Sequence, residues 1–503
     1  MLRSLCRMRG PAIGGKVWHE QHTGSSGAVA NAKTALINWL FARSTGGTFV
    51  LRLEDTDTER SRPEYAAIIC EALKWLGIDW DEGPAFGDEP ERGAYGPYRQ
   101  SERKHLYRAE AMRLIEEGKA YRCYCTKEEL DQERERARAE KRPTLYSGKC
   151  SNLTPSEQEA RGSRPFSIRF KVPTGVTEIA DLVQGRVATD HAEFDDFIIM
   201  KPNGDAVFHL AVVVDDGLMR ITHVIRGDDH LTNATRHVML FRALGYALPT
   251  FAHLPMVLDE RGQKYSKRLH GANVLDWRGD GFLPEALVNY LVLLGWTPGD
   301  DREVFSREEL VRVFSLDRLG QSPGKFDYKR LLWLNGQHIR RLTPEELCAR
   351  VLPLWCAAGF DVDARPRAWL VRMAGICQDR IPTLNDIVPY TDFFFRDPDS
   401  YEEKAVNKQW RKAEAADTLE AVRDILSSVQ DFTHDGLKAA YEAKAAETGK
   451  PVAHYIHPTR LALTGKSVGP GLFELAELLG RETCMRRINR AIAYVRSLKE
   501  AQR

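Results

Sequence analysis

Ala28-Val-Ala-Asn-Ala-Lys-Thr-Ala-Leu-Ile-Asn-Trp-Leu-Phe-Ala-Arg43, joined through Gly46-Gly47 to Thr48-Phe-Val-Leu-Arg-Leu-Glu-Asp-Thr-Asp57, is the stretch that decides the fold. Val29, Leu36, Ile37, Leu40 and Phe41 recur at helical spacing, and the run from Thr48 to Leu53 is apolar and partly β-branched. Helix, glycine turn, then strand predicts a parallel α/β unit. Arg52, Glu54, Asp55 and Asp57 stand in or directly after that strand, and in open α/β sheets ligands bind at the strands' carboxyl ends. The same acids would also cap a helix starting at Pro63, so both roles stay open here.

Outward from this unit, Pro63 to Leu76, Arg103 to Gly118, Thr126 to Lys141 and Thr232 to Leu244 read as helices. Phe166 to Pro173, Phe197 to Leu210 and His223 to Arg226 read as strands, with a turn over Asp215 to Thr222. From about Leu283 onward the pattern is helical: Pro284 to Leu294, Ser306 to Phe314, Asp327 to Leu334, Pro344 to Ala358, Trp410 to Leu426 and Leu472 to Leu498. An α/β half is thus followed by an all-helical half. The last helix carries Arg486, Arg487, Arg490 and Arg496, which reads as an RNA-facing patch or a solvated helix face.

A chain of 503 residues predicts three or four domains. No apolar run reaches the roughly 18 to 20 residues of a membrane span, which excludes a helical membrane protein. Lys+Arg 72 against Asp+Glu 71 leaves a formal charge of +1, so a nucleic-acid partner must be met by local patches. Nine cysteines are too dilute for a disulfide scaffold; Cys70, Cys348, Cys356 and Cys377 sit in apolar segments, where buried thiols and a reducing compartment are expected. Met1 to His19 has no acidic residue and carries Arg3, Arg7, Arg9 and Lys16, the composition of an organelle transit peptide or of a flexible basic terminus. A mitochondrial or other organellar address in a eukaryote, and the cytoplasm otherwise, is the expectation.

Lys264-Tyr-Ser-Lys-Arg268 follows the apolar Leu254 to Leu258 and a turn at Asp259 to Gly262. A loop of this kind places cations on a triphosphate whose charge spreads in the transition state. Together with Glu54-Asp-Thr-Asp57, Pro97-Tyr-Arg-Gln-Ser-Glu-Arg103, Val213-Val-Asp-Asp216, Arg226-Gly-Asp-Asp-His230 and Gly281-Phe-Leu-Pro-Glu-Ala-Leu287, it resembles the signatures of bacterial and organellar glutamyl-tRNA synthetases, in order and at similar spacing. The resemblance runs from about Lys33 to the end and includes Leu461 to Gly465.

What the resemblance implies is a class I aminoacyl-tRNA synthetase: an α/β Rossmann-like catalytic core with an α+β acceptor-binding insertion, then all-α C-terminal domains. It places an atypical segment at 1–27, the core at 28–99 and 195–255, the acceptor-stem insertion at 100–194, a stem-contact region with the KMSKS loop at 256–335, and a helical anticodon-binding region at 336–503. By similarity, Lys264, Ser266 and Lys267 bind ATP, with both lysines steadying the leaving pyrophosphate. Glu54, Phe208 and Arg226 meet glutamate, Phe208 standing where Tyr is usual. ATP with Mg2+ is the implied cofactor, and tRNA-Glu, with tRNA-Gln as a second acceptor, the implied partner of a monomer.

Two departures qualify the resemblance. Val17-Trp-His-Glu-Gln-His-Thr-Gly24 stands where the family has a strand ending like R-F-A-P-S-P-T-G, and the HIGH-like tetrad is replaced by Ala28-Val-Ala-Asn31. The phosphate-contacting His and the glycines that let backbone approach nucleotide are absent from it, and the spacing of His19 and His22 does not make them substitutes. The expectation is weak adenylation, from an alternative first segment of an otherwise intact synthetase, or, as the alternative, a tRNA-binding paralogue. Cys123-Tyr-Cys125 and Cys150 resemble a family zinc knuckle, with Asn152 where a His ligand is expected; zinc or three reduced structural thiols are the readings.

Overall fold

The computed structural model describes residues 16–22, 29–56, 63–265 and 273–500. Cα packing divides the chain into two compact units: residues 1–277 with 287–327, and residues 278–286 with 328–503.

The first unit is built on a four-stranded parallel sheet. Strand β1 (Lys16–His22) lies between β2 (Thr48–Glu54) and β8 (His223–Gly227), and β9 (Thr250–Leu254) completes the order β2-β1-β8-β9. Helix α1 (Val29–Thr45) is the crossover from β1 to β2, closed by Gly46 at φ 67. This is the helix, glycine turn and strand expected at 29–54, and its logic is burial: Phe49, Val50, Leu51 and Leu53 are fully covered. β2 has no open outer edge, because Leu51 N–H donates to Glu82 O and Leu53 N–H to Tyr98 O, both at 2.9 Å. Lys16 to His19 belong to β1, in register with Thr48 to Leu51; Met1 to Gly15 lie outside the described residues.

Helix α2 (Pro63–Leu76) begins with Pro at its first position, as its sequence predicts. The chain continues through α3 (Lys104–Glu116), β3 (Ala120–Cys123), α4 (Lys127–Ala139), α5 (Pro155–Glu159) and β4 (Ser167–Phe170). A hairpin of β5 (Val176–Asp181) and β6 (Gly185–Asp190) leads into β7 (Ile198–Met200), and β3-β4-β7 form an antiparallel sheet. Helices α6 (Phe208–Leu218) and α7 (Leu231–Leu244) return to the parallel sheet. Here the structure corrects the expected strand over Phe197 to Leu210 and turn over Asp215 to Thr222. Only Ile198–Met200 is strand, and Val213-Val-Asp-Asp216 is helical. Ala211, Val212, Val213 and Val214 are all fully buried, and such an apolar run reads alike as strand or core helix.

The second unit is helical. Trp355 and Trp410 are fully buried in one core that also takes Leu347, Met373, Leu419 and Ile488. Thr343 and Glu346 cap helix Pro344–Ala357 reciprocally. The expected helix Leu472 to Leu498 is two helices, Leu472–Leu479 and Arg481–Glu500, split where Gly480 takes φ 78. The helix expected over Trp410 to Leu426 is Ala415–Ser428, and a separate helix, Glu403–Gln409, precedes it. Arg487 belongs to neither the patch nor the solvated face expected of it. It is buried, and its terminal nitrogens donate to the carbonyls of Leu463, Phe393 and Arg396, which end two helices. Arg486 shares Asp397 with it, Arg496 pairs with Glu420, and Arg490 is exposed. Cys356, expected to be buried, is exposed, whereas Cys70, Cys348 and Cys377 are covered.

Candidate active site

Because β1, β2, β8 and β9 run parallel, their carboxyl ends gather on one side of the sheet, and the residues expected to act there lie at those ends. The first two turns of α1 contribute Ala30, Asn31, Lys33 and Thr34 to a cleft of about 120 Å3 that Arg226 and Lys264 also line. A helix N-terminus offers unpaired N–H groups and a positive dipole end, which suit a phosphate. Two ammonium groups reinforce it. Lys33 is buried, donating to Pro255 O at 3.4 Å, and burial lowers it to about 8 against the attraction of Asp228. Lys264 donates to Asp229 Oδ2 at 2.7 Å. Partial burial opposes the Asp229 charge, yet this ammonium and His230 hold its carboxyl below the usual range. Ser266 and Lys267, and with them Thr23, Gly24 and Asp57, lie outside the described residues.

Arg226 rises from β8 into a ring of acceptors. Its Nε donates to His253 Nε2, Nη1 to His237 Nδ1 and Nη2 to His230 O, each at 3.2 Å, and the side chain is buried. Phe208, at the start of α6, packs its ring against those of His209, His230 and His237.

Glu54 ends β2 beside a buried ionic network. Arg52, fully covered, reaches Asp216 at 2.9 Å, Asp215 at 3.4 Å and Glu54 at 3.5 Å. Asp215 is also held by Arg103 at 2.5 Å, Gln100 at 2.9 Å and Tyr107 at 2.8 Å. These contacts join the carboxylates of Glu54, Asp215 and Asp216 to the guanidinium groups of Arg52 and Arg103, and the charge of Arg226 also acts on Asp216. Burial, only partly offset by Arg52, pushes the Asp216 carboxyl up to about 6.

Apart from this site, Cys123, Cys125 and Cys150 converge with their sulphurs within 4.8 Å of one another. Asn152 is exposed, but Tyr146 Oη lies 3.6 Å from Cys123 Sγ and 3.7 Å from Cys125 Sγ and accepts from Cys150 N–H at 2.9 Å. Three sulphurs and a phenol oxygen fit a four-coordinate zinc ion.

A family model for class I tRNA synthetases (E and Q), catalytic domain, matches residues 25–333, and one for an anticodon binding domain matches residues 346–492. The chain is 43% identical over 475 residues to a glutamate–tRNA ligase of Moorella thermoacetica, covering 93% of this chain and 96% of the relative. It is 46% identical over 478 residues to one of Desulforudis audaxviator, covering 93% and 94%. The chain belongs to the glutamyl-tRNA synthetase family. A crystal structure of the Elizabethkingia meningosepticum glutamate tRNA ligase in complex with its amino acid superposes with a TM-score of 0.87 at 30% identity, over 95% of this chain and 99% of that one. The glutamyl-tRNA synthetase fold accounts for the Rossmann-like core and for the helical second unit. The relatives named are bacterial, which lends no support to an organellar address, and no described helix is long and apolar enough to cross a membrane.

Of the residues singled out in the sequence, Arg226 and Lys264 meet in one cleft, Glu54 stands in the ionic network, and Phe208 packs over the histidines beside Arg226. Sequence reading missed Lys33, His237, His253, Asp181, whose Oδ2 lies 2.6 Å from His253 Nδ1, and Tyr146. The first four are scattered over 220 positions with no local pattern; Tyr146 has a weak one, four residues before Cys150.

Proposed function

We propose that the chain is a glutamate–tRNA ligase that activates glutamate with ATP and esterifies the 3′ end of tRNA-Glu. In the first step a glutamate α-carboxylate oxygen attacks the α-phosphorus of ATP, and pyrophosphate departs. In the second, a hydroxyl of the terminal adenosine attacks the activated carbonyl, and AMP leaves. Neither step needs a covalent bond to protein, so the residues act by positioning and charge. Arg226 receives the side-chain carboxylate and Glu54 the α-ammonium, with Phe208 packing beside them. Lys264, which lines the cleft with the N-terminal turns of α1, attends the phosphates, as do Ser266 and Lys267. Mg2+ bound with ATP offsets phosphate charge. Zinc held by Cys123, Cys125, Cys150 and Tyr146 would brace the insertion at 100–194 that grips the acceptor stem, while the helices of 336–503 read the anticodon. The same reading makes tRNA-Gln a second acceptor and the enzyme a monomer.

The observation that carries it is the meeting of a buried arginine and two lysines at a helix N-terminus, on the strand ends of a parallel sheet. Glutamate-dependent exchange of pyrophosphate into ATP, run with both tRNAs and with glutamine as control, tests it. Exchange with glutamine but not glutamate, or none with any tRNA, would overturn it.

A further inference from the structure

Three cations line the cleft at the N-terminus of α1, and they are not equivalent. Lys33 and Arg226 are 3% and 2% exposed, so folding fixes where their charges lie. The Lys264 side chain is 59% exposed, and an incoming ligand can move it. Its backbone, by contrast, is anchored. β10 (Val257–Leu258) leads into a turn in which Asp259 N–H donates to Gln263 O at 2.7 Å, and the chain returns so that Tyr265 N–H donates to Val257 O at 2.9 Å. The Tyr265 ring lies 4.8 Å from that of Phe326. The base of the loop is a closed hairpin, and Lys264 is a flexible four-carbon arm set on it.

Asp229 faces that arm. It is the one carboxylate among the described residues that line the cleft, and it stands in a single 3-10 turn, Asp228–His230, directly after β8. Its Oδ2 accepts from Lys264 Nζ at 2.7 Å. Oδ1 folds back against Gly227, where a Cβ would come within 2.6 Å of it, so the bare backbone at 227 makes room for the carboxylate. His230 Nε2 stands 4.0 Å from Oδ1, beyond hydrogen-bond reach. A negative group in a phosphate site works against an anionic ligand. Here it also occupies an ammonium that the phosphates need. The two side chains are 59% and 44% exposed, and a pair of that kind is worth a factor of about 1.5 to 5 in an equilibrium. A polyphosphate carries several charges and meets Lys33 and the α1 N-terminus as well, so it can displace the carboxylate; a ligand without phosphate leaves the pair closed.

We propose that Asp229 is a latch on the phosphate site: in the empty cleft its carboxylate holds the Lys264 ammonium, and a polyphosphate binds by taking that ammonium from it. The inference rests on the reading of Lys264 as a phosphate contact and adds the residue that competes for it. When pyrophosphate departs, Asp229 recaptures Lys264, so the same pair opposes rebinding of that product.

The test measures ATP and adenosine binding by equilibrium dialysis for the unmodified full chain, D229N, D229E, K264M and the D229N/K264M double variant, with circular dichroism to check the fold. D229N should bind ATP about two- to fivefold more tightly and adenosine equally well, a gain that a merely structural residue would not give on removal. D229E keeps the charge on a longer arm and should return ATP binding toward the unmodified value. K264M should weaken ATP binding, and in that background the gain from D229N should fall below about 1.5-fold, because the latch has no ammonium to hold. ATP binding that is unchanged in D229N overturns this inference alone. So does weaker binding, which would make Asp229 a ligand of the nucleotide or its Mg2+, and so does an equal gain with and without Lys264, which would be a through-space effect of its charge. If K264M binds ATP as the unmodified chain does, the reading of Lys264 as a phosphate contact fails and the inference with it.

Discussion

Replacing Arg52 by methionine removes a buried guanidinium that contacts Asp216, Asp215 and Glu54. Arg52 lies 2.9 Å from Asp216, 3.4 Å from Asp215 and 3.5 Å from Glu54, and the side-chain exposures of all four groups are 0 to 2%. Losing one partner of a buried ion pair costs about 3 to 5 kcal/mol, because the other charge stays buried. Arg103 still serves Asp215, so the middle of that range, about 4 kcal/mol at pH 7.5, is expected. With a urea slope of about 3 kcal/mol per molar, the unfolding midpoint of the first unit should fall by about 1.3 M. The pH dependence distinguishes this cause from lost packing. Asp216 titrates at about 6 in the intact network, and in R52M it would take up its proton at higher pH. Below that range protonation relieves the uncompensated charge at about 1.4 kcal/mol per pH unit, so the deficit at pH 5.5 should shrink to about 2 kcal/mol. Urea unfolding of the full chain at both pH values, followed by circular dichroism and tryptophan fluorescence, reads both quantities. A deficit under 1 kcal/mol at pH 7.5, or one equal at the two pH values, would refute the reasoning.

Three further outcomes are expected. Lys33 has a folded value of about 8, below its unfolded value, so burial of its charge costs stability that is fully felt below pH 8 and relieved between about 8 and 10. K33M should therefore stabilise the first unit at pH 7 by about 2 kcal/mol, with the gain vanishing by pH 10, while phosphate binding weakens. Thermal melts check it, and a destabilised K33M at pH 7 contradicts it. Hydrogen bonds from Arg486 and Arg487 hold Asp397 at about 2, so its contribution is present above about pH 4 and is lost as pH falls toward 2. D397N should lose about 1 kcal/mol of second-unit stability at pH 7, after solvent screening, and less at pH 3; equal losses would show that the ion pairs are not its cause. Purified protein should hold one zinc per chain, Y146F should release it to chelator at 10- to 100-fold lower competitor, and C150S should not retain it. Elemental analysis of the three proteins decides this, and a wild type without zinc after growth with the metal sinks the site.

Where pattern and burial agree, the elements could be read before folding. α1 and β2 announce themselves because helical spacing, a glycine turn and an apolar strand follow in order. The hairpin β5–β6 escaped because its covered face is Thr177, Ile179 and Asp181. Two of those inward side chains are polar and are satisfied by His191 and His253, so hydropathy does not alternate. The strand expected over Phe197 to Leu210 overruns β7 and the turn expected over Asp215 to Thr222 cuts into α6, because the run Leu210 to Val214 is apolar and covered on every side and so carries no period. The site divided in the same way. Glu54, Arg226 and Lys264 stand in strings with recognisable neighbours, while Asp181, His237 and His253 have meaning only through Arg226.

The sequence alone determined the family, the parallel α/β core followed by helices, and the strings that end the strands, because each depends on residues within a few positions of one another. Tertiary structure alone decided which histidines receive the arginine, which carboxylates share Arg52, that the Tyr146 hydroxyl meets Cys123 and Cys125 and that Arg487 is buried as a helix cap. Those are contacts between residues as many as 164 positions apart, as for Arg52 and Asp216. The direction of a hydrogen bond and the cost of a buried charge exist only once folding has closed such distances and excluded water.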